Sequence, residues 1–334
     1  MRKLLLSSTA LATAAALTAG SALADVSISA YQEWAYTSQS SQVAANDGNR
    51  MSSESEIHFK FSNKTDSGLT IAMTTEMDAD DGAAVTNDEN SLSIEGGFGK
   101  IVLGGNDNAA DNYAIDVEDV TSENITVGLA TGQTSLFLTD TDLETTGDAN
   151  KITYHIPAMG ALKAGISYTD SGSNATTGDQ DSLEIGAAYT MAAGGASITL
   201  AGATRNTEQV SGTVDEESQS LGVSVVAGNV TVKVGQATYE AADIEEEANG
   251  LGVKFQVNDA MYISAYTVKV EDSLGKTVDE SYSNTGGEVA YTIASGLTAF
   301  FNVTDYDYKT GTGTGAGTTA DSGTVSKLTI QAKF

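Results

Sequence analysis

The chain has no cysteine, one proline (Pro157) and only 7% aromatic residues in 334. Without cysteine there is no disulfide to staple an exported protein, so its stability has to come from backbone hydrogen bonding and packing. Basic residues are also scarce: 16 Lys and Arg stand against 45 Asp and Glu, a formal net charge of −29. A surface of that sign repels nucleic acid and anionic lipid headgroups, which excludes nucleic acid as a partner. Long apolar runs are missing as well. After residue 24 no window offers the ~20 consecutive apolar residues of a spanning helix.

The N-terminus reads as a secretory leader. Arg2 and Lys3 precede an apolar stretch from Leu4 to about Leu17, and Ala22-Leu23-Ala24 forms a small-residue cleavage site. Residues 1–24 are therefore expected to be removed, leaving 25–334 as a single domain. The short apolar core disfavours the alternative of a retained transmembrane helix.

What the chain does have is alternation. Period-two patterning recurs in EIHFKF (56–61), LTIAMTTEM (69–77), LKAGISYT (162–169), SITLAGATR (197–205), GLGVKFQV (250–257) and the final KLTIQAKF. Each such segment is a half-buried strand of about the ~10 residues a tilted membrane-spanning strand needs. There are sixteen of them, an even number. Their connections alternate between short and long. Seven short turns include GGFG (96–99), AAGG (192–195) and ASG (294–296); eight longer loops include 38–53, 106–149 and 240–248. Strict sorting by parity suits an outer-membrane barrel, with short periplasmic turns and long external loops, better than a soluble sandwich.

With the apolar parity set outward, Lys60, Lys163, Arg205, Lys233, Lys254 and Lys327 all fall on the inward face. Gly165, Gly186, Gly222 and Gly252 share that parity and leave room inside. Trp34, Tyr36 and Tyr168 are expected at the outer membrane interface, and Phe98, Tyr154 and Phe334 at the periplasmic one.

GGFGKIVLGG, NKITYHIPAMGALKAGISY and the final Phe334 resemble the general diffusion porins of Gram-negative outer membranes, particularly the alphaproteobacterial trimeric kind. The resemblance covers the chain beyond the leader. It implies an all-β, 16-stranded antiparallel transmembrane barrel that assembles as a homotrimer and passes small hydrophilic solutes. It also implies an inward-folded third loop and a Phe334 read by the barrel-assembly machinery. The chain departs from the family in having only Arg50 and Arg205 after residue 24, where a run of arginines usually faces the inward loop.

The loop at 106–149 carries ten carboxylates and no basic residue. Either it is a solvated external loop, or it folds inward and narrows the pore. In the second case Asp111, Asp116, Glu118 and Asp119 are the expected constriction carboxylates, facing His58, Lys60 and Lys100 on the wall. The surplus of acid predicts cation selectivity. The acidic runs Asp78–Asp81 and Glu245–Glu247 have oxygen ligands suited to Ca²⁺ but no EF-hand spacing, and read as hydrated loop tips. No cofactor is required. Catalysis has little basis: there are two histidines, His58 and His155, and no G-x-S-x-G. The alternatives are a solute-specific channel on the same barrel, which would need aromatic residues tracking through the lumen, and a secreted β-rich adhesin. Closure requires the last strand to pair with the first, beginning at Asp25 and ending on Phe334.

Overall fold

A computed structural model describes residues 25–78, 85–122, 138–143, 146–147, 149–170, 180–209, 215–242, 244–272, 276–278, 280–313 and 319–334. The expected leader lies outside them. The strands in chain order are β1 (Asp25–Ser41), β2 (Gly48–Lys64), β3 (Thr70–Asp78), β4 (Thr86–Gly96), β5 (Gly99–Gly105), β6 (Asn150–His155), β7 (Leu162–Asp170), β8 (Gln180–Ala193) and β9 (Ala196–Gln209). They continue with β10 (Glu216–Ala227), β11 (Val230–Ala241), β12 (Ile244–Asn258), β13 (Met261–Asp272), β14 (Lys276–Val278), β15 (Glu280–Ala294), β16 (Leu297–Lys309), β17 (Thr312–Gly313) and β18 (Asp321–Lys333). β14 and β17 make a two-stranded ribbon between two outer connections; the other sixteen close into one antiparallel barrel.

Closure leaves no open edge, so every strand finds partners on both sides without water. β1 meets β18 from Tyr31↔Lys333 to Ser41↔Gly323. One step further, the Phe334 N–H donates to the Ala30 carbonyl at 2.8 Å, and the Ala30 N–H donates back at 3.3 Å. The last strand thus pairs with the first, which begins at Asp25 as expected. Within that pairing Phe334 meets Ala30, and Asp25 pairs with Ser62 of β2, because β1 extends past the end of β18.

The seven short turns lie together at one end. Ala193↔Ala196 close around Gly194 and Gly195, whose φ values of +58° and +87° suit the two-residue turn that matches strand twist. At the other end one expectation changes. Residues 240–248 are mostly strand: Ala241, the last residue of β11, pairs with Ile244, the first of β12.

Large apolar side chains point outward on every barrel strand, those of β5, Ile101 and Leu103, being half-buried beside Leu92 and Ile152. They include Ile28, Ile57, Met73, Leu92, Ile152, Ile166, Ile185, Leu200, Val223, Val234, Leu251, Ile263, Val289, Phe301 and Leu328. A soluble protein leaves only isolated residues of this kind in water; a continuous ring of them marks a lipid-facing band. Phe98, Tyr189, Phe255, Tyr291 and Phe334 are exposed near the short turns and form an aromatic girdle there, with the Tyr154 hydroxyl donating to the Phe98 carbonyl at 2.6 Å. Above the band the outward positions turn polar. On β12, Glu245, Glu247 and Asn249 give way to Leu251, Val253, Phe255 and Val257.

Candidate functional site

The connection from β5 to β6 enters the barrel. Asn108 starts it: its side-chain oxygen accepts the N–H groups of Ala110 (2.8 Å) and Asp111 (3.0 Å), as an N-cap does, and a single helical turn follows. Beyond it Val117 and Val120 are fully buried, joined by a 3₁₀ turn over Glu118–Val120.

This loop lies on a track of glycines along the inner wall. A Cβ on Gly222 would stand 2.5 Å from Ile115 Cβ, one on Gly250 2.5 Å from Val117 Cγ2, and one on Gly235 2.8 Å from Thr141 Oγ1. Gly186 and Gly252 are approached even more closely, by the carbonyls of Ala109 and Val117. Gly222, Gly235 and Gly250 are register partners across β10, β11 and β12. Of the four glycines expected to face inward, Gly186, Gly222 and Gly252 make room for the loop's main chain, and Gly165 sits beside the Tyr113 and His155 rings.

Wall side chains then hold the loop's polar backbone. The Ala109 N–H donates to Ser167 Oγ (2.7 Å), Ser122 N–H to Glu288 (2.9 Å), Leu138 N–H to Glu246 (2.8 Å) and Thr146 N–H to Glu184 (2.8 Å). Glu184 and Glu246 are fully buried. Charge-assisted bonds of this kind are the strong ones. The middle of the expected acidic run Glu245–Glu247 is thus an inward strand residue, and Glu245 and Glu247 point the other way; within Asp78–Asp81, residues 79–81 lie outside the described region.

The named carboxylates separate into different roles. Asp119 is exposed and paired with Lys233 Nζ at 2.6 Å; the same ammonium donates to the Asp116 carbonyl at 3.0 Å. Asp116 is half-buried and accepts from Thr141 Oγ1 at 2.9 Å, and burial raises its carboxyl from the ordinary range. Asp111 accepts from Asn108 Nδ2 at 2.5 Å. Glu118 departs from the expectation of a pore-facing group. It is only 7% exposed, turned to the wall, and takes a bond from Asn284 Nδ2 at 2.8 Å. Burial, reinforced by Asp116, pushes its carboxyl up to about 8.

On the opposite side His58, Lys60 and Lys100 line one opening together with Glu76, His155 and the loop residues Asp107 and Asn112. The loop carboxylate in this opening is Asp107, and none of the four expected ones, Asp111, Asp116, Glu118 and Asp119, lines it. His58 is not a bare cation, since its ring nitrogens each lie 2.9 Å from a carboxylate, Glu56 and Glu76. The sequence reading placed Lys233 and Lys254 on the inward face without giving them a part in the site. Lys254 stands 3.7 Å over the Tyr262 ring, whose hydroxyl meets Ser122 Oγ at 2.6 Å and donates to Glu288.

The interior also contains Tyr239, Tyr266, Tyr282, Tyr306 and Tyr308, none more than 5% exposed and all packed with Val117, Val120 and Leu138. They are an apolar bed for the loop and not an aromatic path for solutes.

Sequence comparison with curated proteins finds no match. Among solved structures, the in-vitro folded trimer form of OmpT from Vibrio cholerae superposes with TM-score 0.70 at 14% identity, covering 93% of this chain and 99% of that one. An anion-selective porin from Comamonas acidovorans gives 0.64 at 17% identity, covering 93% and 100%. The family model for Gram-negative porins matches residues 10–311. A closed sixteen-stranded barrel with a lipid-facing band, a loop folded into its lumen and that match agree: the chain belongs to the Gram-negative porin family, the channel-forming barrels of the outer membrane.

Proposed function

We propose that the protein is a cation-selective channel for passive diffusion of small hydrophilic solutes and ions, assembled as a homotrimer. The observation that carries the selectivity is the charge balance where the loop faces the lumen. Asp107 stays exposed, residues 106–149 carry ten carboxylates and no base, and Lys233, Arg205 and Lys327 are each offset by a carboxylate, Asp119, Glu216 and Glu33. An acid surplus inside low-dielectric walls concentrates cations. The Comamonas structure, described as anion-selective, makes the sign a property of each chain's own residues.

Zero-current potentials across a planar bilayer in a KCl gradient test this: a cation-side potential is expected, and an anion-side one overturns the reading. A solute-specific channel would show saturable, competable conductance; the burial of the interior tyrosines favours simple diffusion.

The trimer form of the Vibrio cholerae structure supports the assembly. An unboiled detergent gel of the outer-membrane fraction should show a heat-modifiable band near three times the monomer mass. We assign Phe334, outward-facing beside Ala30, to recognition by the barrel-assembly machinery. Phe334→Ala should then lower trimer yield in cells but leave in-vitro refolding into detergent nearly unchanged. Equal yields in cells would refute the assignment.

A further inference from the structure

The opening beside the loop contains a group of side chains that conduction does not require. Glu56 and His58 are two residues apart on the inner face of β2, and Glu76 on β3 is the register partner of His58. Side chains at i and i+2 on one strand face lie ~7 Å apart at the backbone, and a cross-strand pair ~5 Å, which lets all three converge. Glu56 Oε2 lies 2.9 Å from His58 Nε2, and Glu76 Oε1 lies 2.9 Å from His58 Nδ1. One donor atom from each residue falls within a set spanning no more than 4.8 Å.

A neutral imidazole carries one N–H and one lone pair, so it can donate to only one of two carboxylates. The other contact sets lone pair against lone pair unless the site holds an additional positive species. Next to it, Asp78 is the register partner of Glu56, and its Oδ1 is buried without a hydrogen-bond partner among the described residues. The three side chains are about a fifth to a quarter exposed, so an ion reaches them from the lumen.

We propose that Glu56, His58 and Glu76 form a binding site for a zinc-class divalent cation on the lumen wall. One imidazole nitrogen and carboxylate oxygens make a borderline donor set that suits Zn²⁺ better than Ca²⁺ or Mg²⁺, which prefer oxygen alone. The second carboxylate either coordinates or receives the remaining ring N–H and orients it. Two added positive charges beside Lys60 and Lys100, across from Asp107, offset Glu56 and Glu76 and make this side of the opening more basic. Zinc therefore acts as a selectivity modulator of the channel.

Isothermal titration of the detergent-solubilised protein with ZnCl₂, in the presence of excess CaCl₂, reads binding directly and does not depend on how the channel conducts. One saturable zinc site per chain is expected, weakened at least ~10-fold in both His58→Gln and Glu76→Gln. Unboiled gel mobility checks that each variant folds. In bilayers, zinc should move the zero-current potential of the wild type toward the anion side and leave that of His58→Gln unmoved. Absence of zinc binding by the wild type overturns the proposal. So does an affinity unchanged in both variants, which would place the zinc on other carboxylates.

Discussion

At the scale of single residues, Glu118 shows what the inward loop costs and gains. Its carboxyl is raised from 4.5 to about 8 by burial against the wall. Between those values the docked loop holds a proton that an undocked one releases. Docking is therefore favoured below the ordinary glutamate range and weakens as pH rises through about 8. Asp142, also raised to about 8 by burial and by Asp111, adds to the same slope. Single-channel current noise should rise from about pH 5 to about pH 9 in the wild type, and Glu118→Gln should flatten part of that rise by removing one of the titrating groups. Gly222 gives a second test. Valine there has no room beside Ile115, so Gly222→Val should lift the loop and raise single-channel conductance. Gly97→Ala, which meets nothing within 4 Å, should leave conductance unchanged.

At the scale of elements, the strands were legible in the sequence where one face meets lipid and the other meets polar groups, as in Leu251–Val257 of β12. They were not legible above the band. Glu245, Glu247 and Asn249 are as polar as a loop, yet the hydrogen-bonded ladder continues through them to Ile244. Periodicity reports the contrast between two environments and disappears when both faces are wet. The loop was legible as long, acidic and inward-folded, but its bed was not. Tyr239, Tyr266 and Tyr308 lie on the parity assigned to water, and only the loop's arrival makes that region dry. The glycines carried the right parity signal without naming their partner, because Val117 lies more than a hundred residues before Gly250 and Gly252. The wall carboxylates should be the loop's main anchors. Glu246→Ala leaves the buried Leu138 N–H without an acceptor, a cost of about 1–3 kcal/mol. Limited proteolysis should then cut within 106–149 faster than in the wild type, with barrel heat-modifiability retained.

At the scale of the whole molecule, an apolar belt, an acidic interior and a net charge of −29 describe a channel whose selectivity is largely a matter of field. Fields are screened over ~10 Å at 0.1 M salt and ~3 Å at 1 M, so the proposed cation preference should shrink between those concentrations. Zero-current potentials at fixed gradient ratio check this. The Lys233–Asp119 contact at 2.6 Å is shorter than either screening length, so salt weakens it less than it weakens the field along the lumen. The loop's docking also imposes an order in time. It belongs to the connection after β5, yet its bed is built from β7 to β13, β15 and β16, which lie later in the chain. The segment must wait unsupported until those strands have paired. Formation of the constriction therefore follows assembly of that part of the wall, and refolding should reach strand content before it reaches protease resistance of the loop.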